Sequence, residues 1–313
     1  MTSFDCPICV SGRSAGYAVI DGYPYFTCAQ CGSIHIDPDV IAMLDAGGSL
    51  VGDYTEEYWQ QERVGAIERA SGVSLCRAGE AILYCRRLVR RFLDLGAGPG
   101  FLLQELHRLI DPSAEIFHGV EKYPPPYAAS GPNFHVGGIE ALEGRFDAGV
   151  CIEVVEHLTP RMLDRMLADL ATVSEPGSLW LFNTGMPDYV RNEDPAYLDP
   201  RHRGHIISYS LAGVTPYFEA HGFRVSALPG RFSSSSSLPR ARNSMRACTT
   251  RYRRTCRSCS ATACFTRHHS KRRVPTTIRP STWSGRNGRC PSTRNFVVTL
   301  ALHRASGLHV WRH

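Results

Sequence analysis

The sequence predicts an α/β fold in which a doubly wound, mostly parallel sheet follows a small N-terminal module that carries two cysteine pairs. Short apolar runs alternate with helical patterns from residue 91 to about 230, as expected of parallel strands joined by crossover helices. A glycine-rich turn follows the first of these runs, and both cysteine pairs lie within the first 31 residues. A chain of 313 residues is long enough for one large domain and a small one.

In the large domain, short apolar runs predict the strands, and apolar residues at three- to four-residue spacing predict the helices. The segment 46–90 begins with polar and aromatic residues. A helix is predicted for the rest of it, up to Arg91. Residues 295–302 form an apolar run that suits an antiparallel last strand of the same sheet. The predicted strands are 92–95, 116–120, 148–152, 178–183 and 223–228, with helices at 101–110, 161–173 and 211–221.

The domain boundaries follow from these patterns and from a change in composition. Residues 1–45 form the four-cysteine module, 46–90 a helical lid or linker and 91–232 the main domain. Residues 233–294 are anomalous, and 295–303 return to the sheet as its last strand. No run reaches the roughly 18 to 20 apolar residues that a membrane span needs, and the N-terminus has no signal-peptide pattern. We therefore expect a cytoplasmic protein.

Four cysteines, Cys6, Cys9, Cys28 and Cys31, form two CxxC pairs separated by 18 residues. Two-residue spacing lets both thiolates of one turn bind the same ion, and two such turns complete a tetrahedral zinc site. A site closed by four thiolates has no open position for a substrate. We therefore expect a structural Zn²⁺ ion that folds the module. A redox pair or four unrelated cysteines are the alternatives.

The segment FLDLGAGPGFLL, which begins at residue 92, reads as a strand, a glycine turn and a helix. Glycines allow a tight turn and a close approach of a ligand to the exposed amides at the helix N-terminus. Asp94 precedes the turn, where it can accept hydrogen bonds from an ammonium group or position the loop. Glu121 ends the next strand, where a carboxylate can bind both hydroxyls of a ribose. A dinucleotide site uses a similar turn, but Phe101 replaces the third glycine of its GxGxxG motif.

The same turn resembles the first motif of class I S-adenosylmethionine-dependent methyltransferases. The run FDAGVCIEVVEHL at 146–158 resembles their fourth-strand motif, and its Glu-His-Leu ending is typical of members that act on small molecules, quinones and sugars. The stretches around 175–177 and 204–210 resemble those that lead into strands five and six. The resemblance covers residues 50 to 230 and implies a Rossmann-like fold with S-adenosylmethionine as cofactor. Paired CxxC modules occur in some members that methylate sugars or small molecules, and in some that methylate ribosomal RNA.

The resemblance also implies roles for individual residues. The glycine turn and Asp94 would cradle the methionine part of the cofactor, and Glu121 would bind its ribose. Ile139 would pack against the adenine ring, because the acid that often contacts the adenine amine has no clear counterpart. Glu153 would lie where strand four opens over the methyl donor. The implied cofactor-binding residues are Asp94, Gly96, Ala97, Gly98, Gly100, Glu121, Ile139 and Glu153.

His157 ends the fourth-strand motif and is our candidate for a general base. Methyl transfer from a sulfonium is an in-line displacement, in which the protein mainly aligns the nucleophile and excludes water. A neutral histidine within hydrogen-bond reach would help a hydroxyl acceptor; a purely structural histidine is the alternative. His205 is a weaker candidate on the substrate side. The aromatic stretch around Tyr54, Tyr58 and Trp59 either covers the cofactor or packs as an amphipathic helix.

The net charge of +6 averages two unlike segments. Residues 1–221 carry 16 basic and 29 acidic side chains, whereas residues 222–313 carry 19 basic side chains and no acidic ones. Between 238 and 294 the chain has 15 basic residues, few aliphatic ones and no regular period. Three explanations stay open: a coding frame lost near the serine run at 233–237 and regained near 295, a disordered segment, or a basic nucleic-acid-binding insert.

Together these observations predict an enzyme that methylates a small molecule, at an oxygen or carbon atom of a sugar or a related metabolite. The alternatives are an RNA methyltransferase that grips RNA with the zinc module, and a cofactor-binding protein without catalytic activity. Residues 1–40 argue against RNA as a partner, because Arg13 is their only basic residue beside four aspartates, a poor match for phosphates. We expect no membrane partner, and no oligomeric state is predicted.

Overall fold

The computed structural model describes residues 3–50, 56–128, 130–228 and 298–304; residues 56–59, 61 and 298–304 are described by their backbone alone. All of these residues belong to one unit of the chain. The anomalous segment 233–294 and Tyr54 lie outside the described residues, so the three explanations of that segment remain predictions.

The N-terminal module is an antiparallel sheet followed by one helix. The hairpin between its second and third strands turns at Asp21 and Gly22, whose φ angles of +52° and +85° are those of the turn that matches strand twist best. The fifth strand of this sheet comes from much later in the chain, and it pairs with β4. The elements are β1 Phe4–Asp5, β2 Arg13–Ile20, β3 Tyr23–Cys28, β4 Ile34–Ile36, α1 Pro38–Asp45 and the distant β10 Ile207–Ser208.

The segment between the module and the main sheet is helical but ends earlier than predicted. Helix α2 (Glu56–Arg69) continues through a π-helical turn into α3 (Leu75–Tyr84), whereas the sequence predicted a helix up to residue 91. The cause is Asp147, whose carboxylate accepts hydrogen bonds from the Arg90 and Arg91 amides at 2.9 and 3.2 Å. This contact holds residues 85–91 against the start of β8 in a non-helical path.

The main sheet confirms the predicted doubly wound α/β fold. Its strand order is β11-β12-β9-β8-β5-β6-β7, in which the five strands from β9 to β7 are parallel. Strand β12 lies between β9 and β11 and is antiparallel to both. The bounds are β5 Phe92–Leu95, β6 Phe117–Glu121, β7 Phe134–Val136, β8 Phe146–Ile152, β9 Ser174–Thr184, β11 Phe223–Ala227 and β12 Val298–Arg304.

The predicted strands of the main sheet are present, most with shifted ends, such as β8, which begins two residues early at Phe146. Two differences are larger. β7 was not predicted, because it has only three residues, and none of them is fully buried. β9 begins at Ser174 instead of 178, because Ser174 already pairs with Phe146 before the register shifts at Ala148 and Leu179. Such an irregularity accommodates the turn-forming Glu-Pro-Gly sequence within a continuous strand.

The three helices that the apolar spacing predicted in the main domain lie within one residue of the prediction, and one further short helix was not predicted. Thr159 caps α5 by accepting a hydrogen bond from the Met162 amide at 3.2 Å, and Ser210 caps α7 through the Gly213 amide at 2.9 Å, as expected at helix starts. No helix in the described part of the chain is long and apolar enough to cross a membrane. These helices are α4 Phe101–Leu109, α5 Pro160–Thr172, α6 Pro187–Asn192 and α7 Leu211–Ala220.

The hydrophobic core is divided between the two faces of the main sheet. Phe92 packs with Leu106 of α4 on one face, whereas its neighbour Leu93 packs with Leu167 of α5 and with Trp180 on the other. Successive side chains of a strand point to opposite faces, so one apolar strand supports two helical layers. The core therefore fixes the carboxyl ends of the parallel strands, at which the predicted site residues lie.

Candidate active site

The turn between β5 and α4 is built on three glycines in the left-handed backbone region. Gly96, Gly98 and Gly100 have φ angles of +74°, +53° and +79°, which other residues adopt only with strain. The amides of Gly96 and Ala97 both donate to the carbonyl oxygen of Val120 at 3.0 Å, which ties the turn to β6. The predicted turn residues thus lie together at the carboxyl edge of the sheet.

Gly96 also allows the turn to touch the segment after β8. A Cβ atom at this position would lie 2.4 Å from Cγ2 of Val154, well inside van der Waals contact. The glycine turn is therefore packed directly against the residue that follows Glu153. This contact joins the two motifs that the sequence analysis treated separately.

Asp94 and Glu121 lie beside this turn, as predicted. Glu121 accepts hydrogen bonds from the Gly98 amide (Oε2, 2.8 Å) and from the Tyr123 amide (Oε1, 2.8 Å). Asp94 is 4% exposed. Burial, and then the charge of Glu121, raise the pKa of Asp94 to about 7. The two acids therefore lie close together at the carboxyl edge of the sheet, where they could bind a positively charged or hydrogen-bond-donating ligand.

Ile139 lies in a short 3-10 turn, Ile139–Ala141, three residues beyond the end of β7. Glu121 pairs with Val136 in the β6–β7 ladder, so this turn follows at the same edge of the sheet as the two acids. The Ile139 side chain is only 5% exposed and belongs to the core. Its predicted contact with an adenine ring remains a prediction.

Glu153 directly follows β8 and has a strained backbone. Its φ angle of +54° is costly for a residue with a Cβ atom, and such conformations concentrate at functional sites. Both carboxylate oxygens are bound: Oε1 accepts from the Asn183 side-chain amide at 3.2 Å and Oε2 from the Tyr197 hydroxyl at 3.1 Å. The acid is therefore held in one orientation at the carboxyl edge of the sheet.

Glu156, His157 and His205 form a cluster next to Glu153. Glu156 is fully buried, and its Oε2 accepts a hydrogen bond from the Thr184 hydroxyl at 2.8 Å. The His157 and His205 rings meet edge to face with centroids 4.8 Å apart, and Nδ1 of His205 lies 2.7 Å from the Tyr197 carbonyl oxygen. The structure thus brings both predicted histidines together and adds Glu156, which the sequence analysis did not select.

Burial keeps this cluster largely uncharged. It lowers the pKa of His205 to about 3 and holds the pKa of His157 below its usual value, although hydrogen bonding to the backbone of Gly204 opposes the shift. Burial also raises the pKa values of Glu153 and Glu156. Both imidazoles are therefore neutral at pH 7, which is the form that can accept a proton or bind a metal ion.

The N-terminal module packs against this cluster and is hydrogen-bonded to its backbone. The sequence did not indicate this contact. The Tyr25 hydroxyl donates to the carbonyl oxygen of His205 at 2.8 Å. The Ile36 amide donates to the carbonyl oxygen of Ile206 at 3.0 Å, and the Ile206 amide donates to the carbonyl oxygen of Glu156 at 2.9 Å. The module and the candidate active site therefore share a continuous hydrogen-bonded backbone.

The four cysteines of the module converge around one point. The Sγ atoms of Cys6 and Cys31 are 4.0 Å apart and those of Cys9 and Cys28 are 3.6 Å apart, and all four lie within 4.8 Å of one another. A tetrahedron with metal–sulfur bonds of about 2.3 Å has edges of about 3.8 Å. All four cysteines are free, and these separations are far longer than a disulfide bond.

The surroundings of the sulfur atoms also suit thiolates. The amides of Ile8 and Gln30 donate to the sulfur atoms of Cys6 and Cys28, each at 3.4 Å. The hydrogen bond between Cys6 and Cys31 lowers the pKa of Cys31 to about 4 and raises the pKa of Cys6, so one of the two thiols ionises readily. A Cβ atom on Gly12 would lie 2.5 Å from the Cys28 sulfur, so only glycine fits against the cluster. The donor set therefore fits a closed tetrahedral ion of the zinc type.

Comparison with known proteins identifies a family for most of the main domain. A family model for methyltransferase domains matches residues 65–228, which is 164 of the 313 residues and just over half of the chain. No curated protein matches the chain.

Several solved structures are similar to the chain in part. An S-adenosylmethionine-dependent methyltransferase from Archaeoglobus fulgidus is 15% identical and covers 74% of this chain and 92% of its own, with a TM-score of 0.42. Magnesium protoporphyrin IX methyltransferase from Synechocystis with bound cofactor is 12% identical and covers 81% of this chain and 87% of its own, with a TM-score of 0.37. DesVI from Streptomyces venezuelae is 16% identical and covers 57% of this chain and 94% of its own, with a TM-score of 0.38.

Proposed function

Because the chain belongs to the methyltransferase-domain family, we propose that it transfers the methyl group of S-adenosylmethionine to a small molecule, at a hydroxyl oxygen of a sugar or a related metabolite. The chain is an enzyme with the class I methyltransferase fold and uses S-adenosylmethionine as its cofactor. The acceptor is the part that we propose. The observation that carries it is the pair of neutral, buried imidazoles of His157 and His205 next to Glu153.

The cofactor would lie along the carboxyl edge of β5, β6 and β8. We assign its methionine part to Asp94 and the glycine turn. Asp94 lies beside the turn, where its carboxylate could bind the ammonium group. Glu121 would exchange its hydrogen bonds from Gly98 and Tyr123 for the ribose hydroxyls. Ile139 and Glu153 complete the assignment, at the adenine and at the methyl-donor end.

The chemical step then needs a nucleophile in line with the sulfonium–methyl bond and protection from water. His157 would accept the proton of the acceptor hydroxyl as the oxygen attacks the methyl carbon, while the sulfur leaves with the bonding electrons as a neutral thioether. A neutral imidazole is required for this step, and burial supplies it. An acceptor carbon is the less favoured alternative, since it would need a stronger base.

We also propose that Cys6, Cys9, Cys28 and Cys31 hold a structural Zn²⁺ ion. Their separations, the amide donors around the sulfur atoms and the room left by Gly12 support this assignment. A closed four-thiolate site contributes folding free energy and no chemistry. Because the module packs against the Glu156 cluster, the ion would stabilise the acceptor side of the active site indirectly.

The surface of the module supports a small-molecule acceptor over RNA. Arg13, its only basic residue within the first 40, pairs with Asp5 at 2.7 Å, so it is already neutralised. Phosphate-rich ligands need several free cations on one face. A module that grips RNA would therefore need its positive charge from elsewhere.

The test is methyl transfer from radiolabelled S-adenosylmethionine in parallel to a panel of hydroxylated metabolites, including sugars and phenols, and to total RNA. We expect labelled product from the small molecules, with activity lost in His157→Ala and retained in His221→Gln, which removes an imidazole paired with Asp164. Label found only in RNA would contradict the proposed acceptor class.

A further inference from the structure

A second cluster of metal-binding side chains lies beside the candidate methyl-transfer site. Glu156, His157 and His205 each place one ligand atom, a carboxylate oxygen or an imidazole nitrogen, within 4.8 Å of the other two. We propose that these three side chains bind a first-row divalent metal ion, separate from the ion of the four cysteines. Three protein ligands would leave positions open on this ion, whereas the cysteine site is closed.

The first argument is an oxygen atom without a partner. Glu156 is fully buried; its Oε2 is bound by Thr184, but its Oε1 has no hydrogen-bond partner among the described residues. Buried polar atoms are nearly always satisfied, and a buried carboxylate oxygen left bare is costly. Nε2 of His205 lies 3.8 Å from this oxygen, too far for a hydrogen bond.

That separation suits two ligands of one ion. Ligand atoms placed about 2.0 to 2.2 Å from a metal ion lie roughly 3 to 4 Å from each other. The distance of 3.8 Å between Oε1 of Glu156 and Nε2 of His205 falls in this interval. This pair of atoms therefore has the spacing of two ligands of one ion and not that of a hydrogen-bonded pair.

The second argument is the orientation of His205. Nδ1 lies 2.7 Å from the carbonyl oxygen of Tyr197, and a carbonyl oxygen can only accept, so Nδ1 carries the hydrogen atom. In the neutral ring Nε2 then presents a lone pair, and it faces the unpartnered oxygen of Glu156. Two such atoms repel each other in a buried site unless a proton or a metal ion lies between them, and their separation of 3.8 Å is too long for a shared proton.

The same contacts are those that orient metal ligands in proteins. A ligating histidine usually donates its second nitrogen to a backbone carbonyl or a carboxylate, and a ligating carboxylate usually accepts a hydrogen bond at its other oxygen. Tyr197 supplies the first contact, and Thr184 supplies the second. Glu153 does not belong to this group of three, and each of its oxygens accepts a hydrogen bond.

The chemistry of the donors indicates the kind of ion. Two imidazoles and one carboxylate favour zinc, manganese, iron or cobalt over magnesium, which prefers oxygen ligands. Three protein ligands leave positions open for an acceptor hydroxyl, whose pKa a bound metal lowers so that its proton passes to water. This role rests on the proposed function and changes one part of it, since His157 would then be a ligand and not the base.

The experiment uses Co²⁺ as an optical probe on the full chain, without cofactor or acceptor. Metals are first removed, and one equivalent of Zn²⁺ is added to fill the cysteine site. Co²⁺ is then titrated. We expect one further equivalent to bind and to give visible bands without the near-ultraviolet charge-transfer absorption that marks cobalt–thiolate bonds.

Variants locate this second ion. Glu156→Gln keeps the size of the side chain but removes its charge, and His205→Gln removes a nitrogen ligand. Both should lose the visible bands. His202→Gln should retain them, because His202 belongs to an exposed group with Asp21 and Asp199. The bands of the unaltered chain are informative even if a variant folds poorly.

Two results would overturn the proposal: no second equivalent in the unaltered chain, or a second equivalent that survives in both cluster variants. Calorimetric binding of S-adenosylmethionine to the same samples separates the two hypotheses. If the chain binds the cofactor but no second ion, the proposed methyl transfer stands and the metal site is wrong. If the chain binds the second ion but not the cofactor, the metal site stands and only the assignment of the cofactor pocket is wrong.

Discussion

The hydroxyl of Tyr197 donates to Oε2 of Glu153 at 3.1 Å and accepts from the amide of Gly185 at 2.8 Å. One buried hydroxyl therefore fixes the acid after β8 and the chain after β9 at the same time. Tyr197 has no motif in the sequence that would select it. Its position follows only from the fold, and it provides the first test of the site.

We expect Tyr197→Phe to lower the free energy of unfolding by about 1 to 3 kcal/mol, because it leaves a buried amide and a carboxyl oxygen without their partner. Thermal unfolding followed by circular dichroism measures this loss. Tyr123→Phe is the matched control, since Tyr123 is 79% exposed. Equal stability of the two variants would mean that the hydroxyl of Tyr197 is not a structural contact.

Asp94 should make both stability and cofactor binding depend on pH. Its pKa of about 7 lies above the value of about 3.9 for an unfolded chain, so the native protein holds a proton that the unfolded chain has lost between these values. Stability therefore falls as the pH rises from about 4 to about 7, by at most about 4 kcal/mol, and stays low above that. Affinity for S-adenosylmethionine should rise over the same interval, because the ionised carboxylate binds its ammonium group.

Asp94→Asn should remove this part of both pH profiles and weaken cofactor binding above pH 7. Urea unfolding and calorimetric titration on either side of pH 7 measure the two effects. Asp188→Asn serves as the control, since the Asp188 side chain is 83% exposed. Profiles of Asp94→Asn that coincide with those of the unaltered chain would show that another group titrates.

Two glycines of the turn should differ in their tolerance of a methyl group. Gly98→Ala introduces only left-handed backbone strain, about 1 to 2 kcal/mol, because nothing lies within 4 Å of an added Cβ atom. Gly96→Ala adds a clash at 2.4 Å with Val154 and should cost clearly more. Urea unfolding ranks the two, and an equal cost would show that Val154 moves freely.

Zinc removal should affect more than the module. Cys6→Ser should lower the zinc content and the unfolding temperature, and it should weaken acceptor turnover because the module supports the backbone of His205 and Glu156. Metal analysis, calorimetry and methyl-transfer assays measure these effects. Cys76→Ser, at an exposed cysteine, should leave all three unchanged. Full zinc content in Cys6→Ser would contradict the four-thiolate site.

The sequence predicted those parts of the site that depend on local patterns. The glycine turn, Asp94 and Glu121 could be placed because a strand, a turn and a helix follow one another directly in the chain, and parallel strands end at one edge. The convergence of the four cysteines could be predicted because two CxxC pairs are typical of metal sites.

The remaining parts could not be predicted, because they depend on contacts between distant residues. Glu156 and His205 are in contact although they are 49 residues apart in the chain. The sequence around Glu156 alternates apolar and acidic residues and does not show which acid is buried. The early end of α3 depends on Asp147, some 60 residues later. Strand β10 has only two residues, too few for any periodicity.

The pairing of His35 with Ile207 has a consequence for synthesis of the chain on the ribosome. The edge of β4 stays without its partner until 172 further residues have been made, and unpaired strand edges are sites of faulty association. The sheet of the module is thus complete only after β10 has been made. Deleting the module would in turn leave the edge of β10 without its partner.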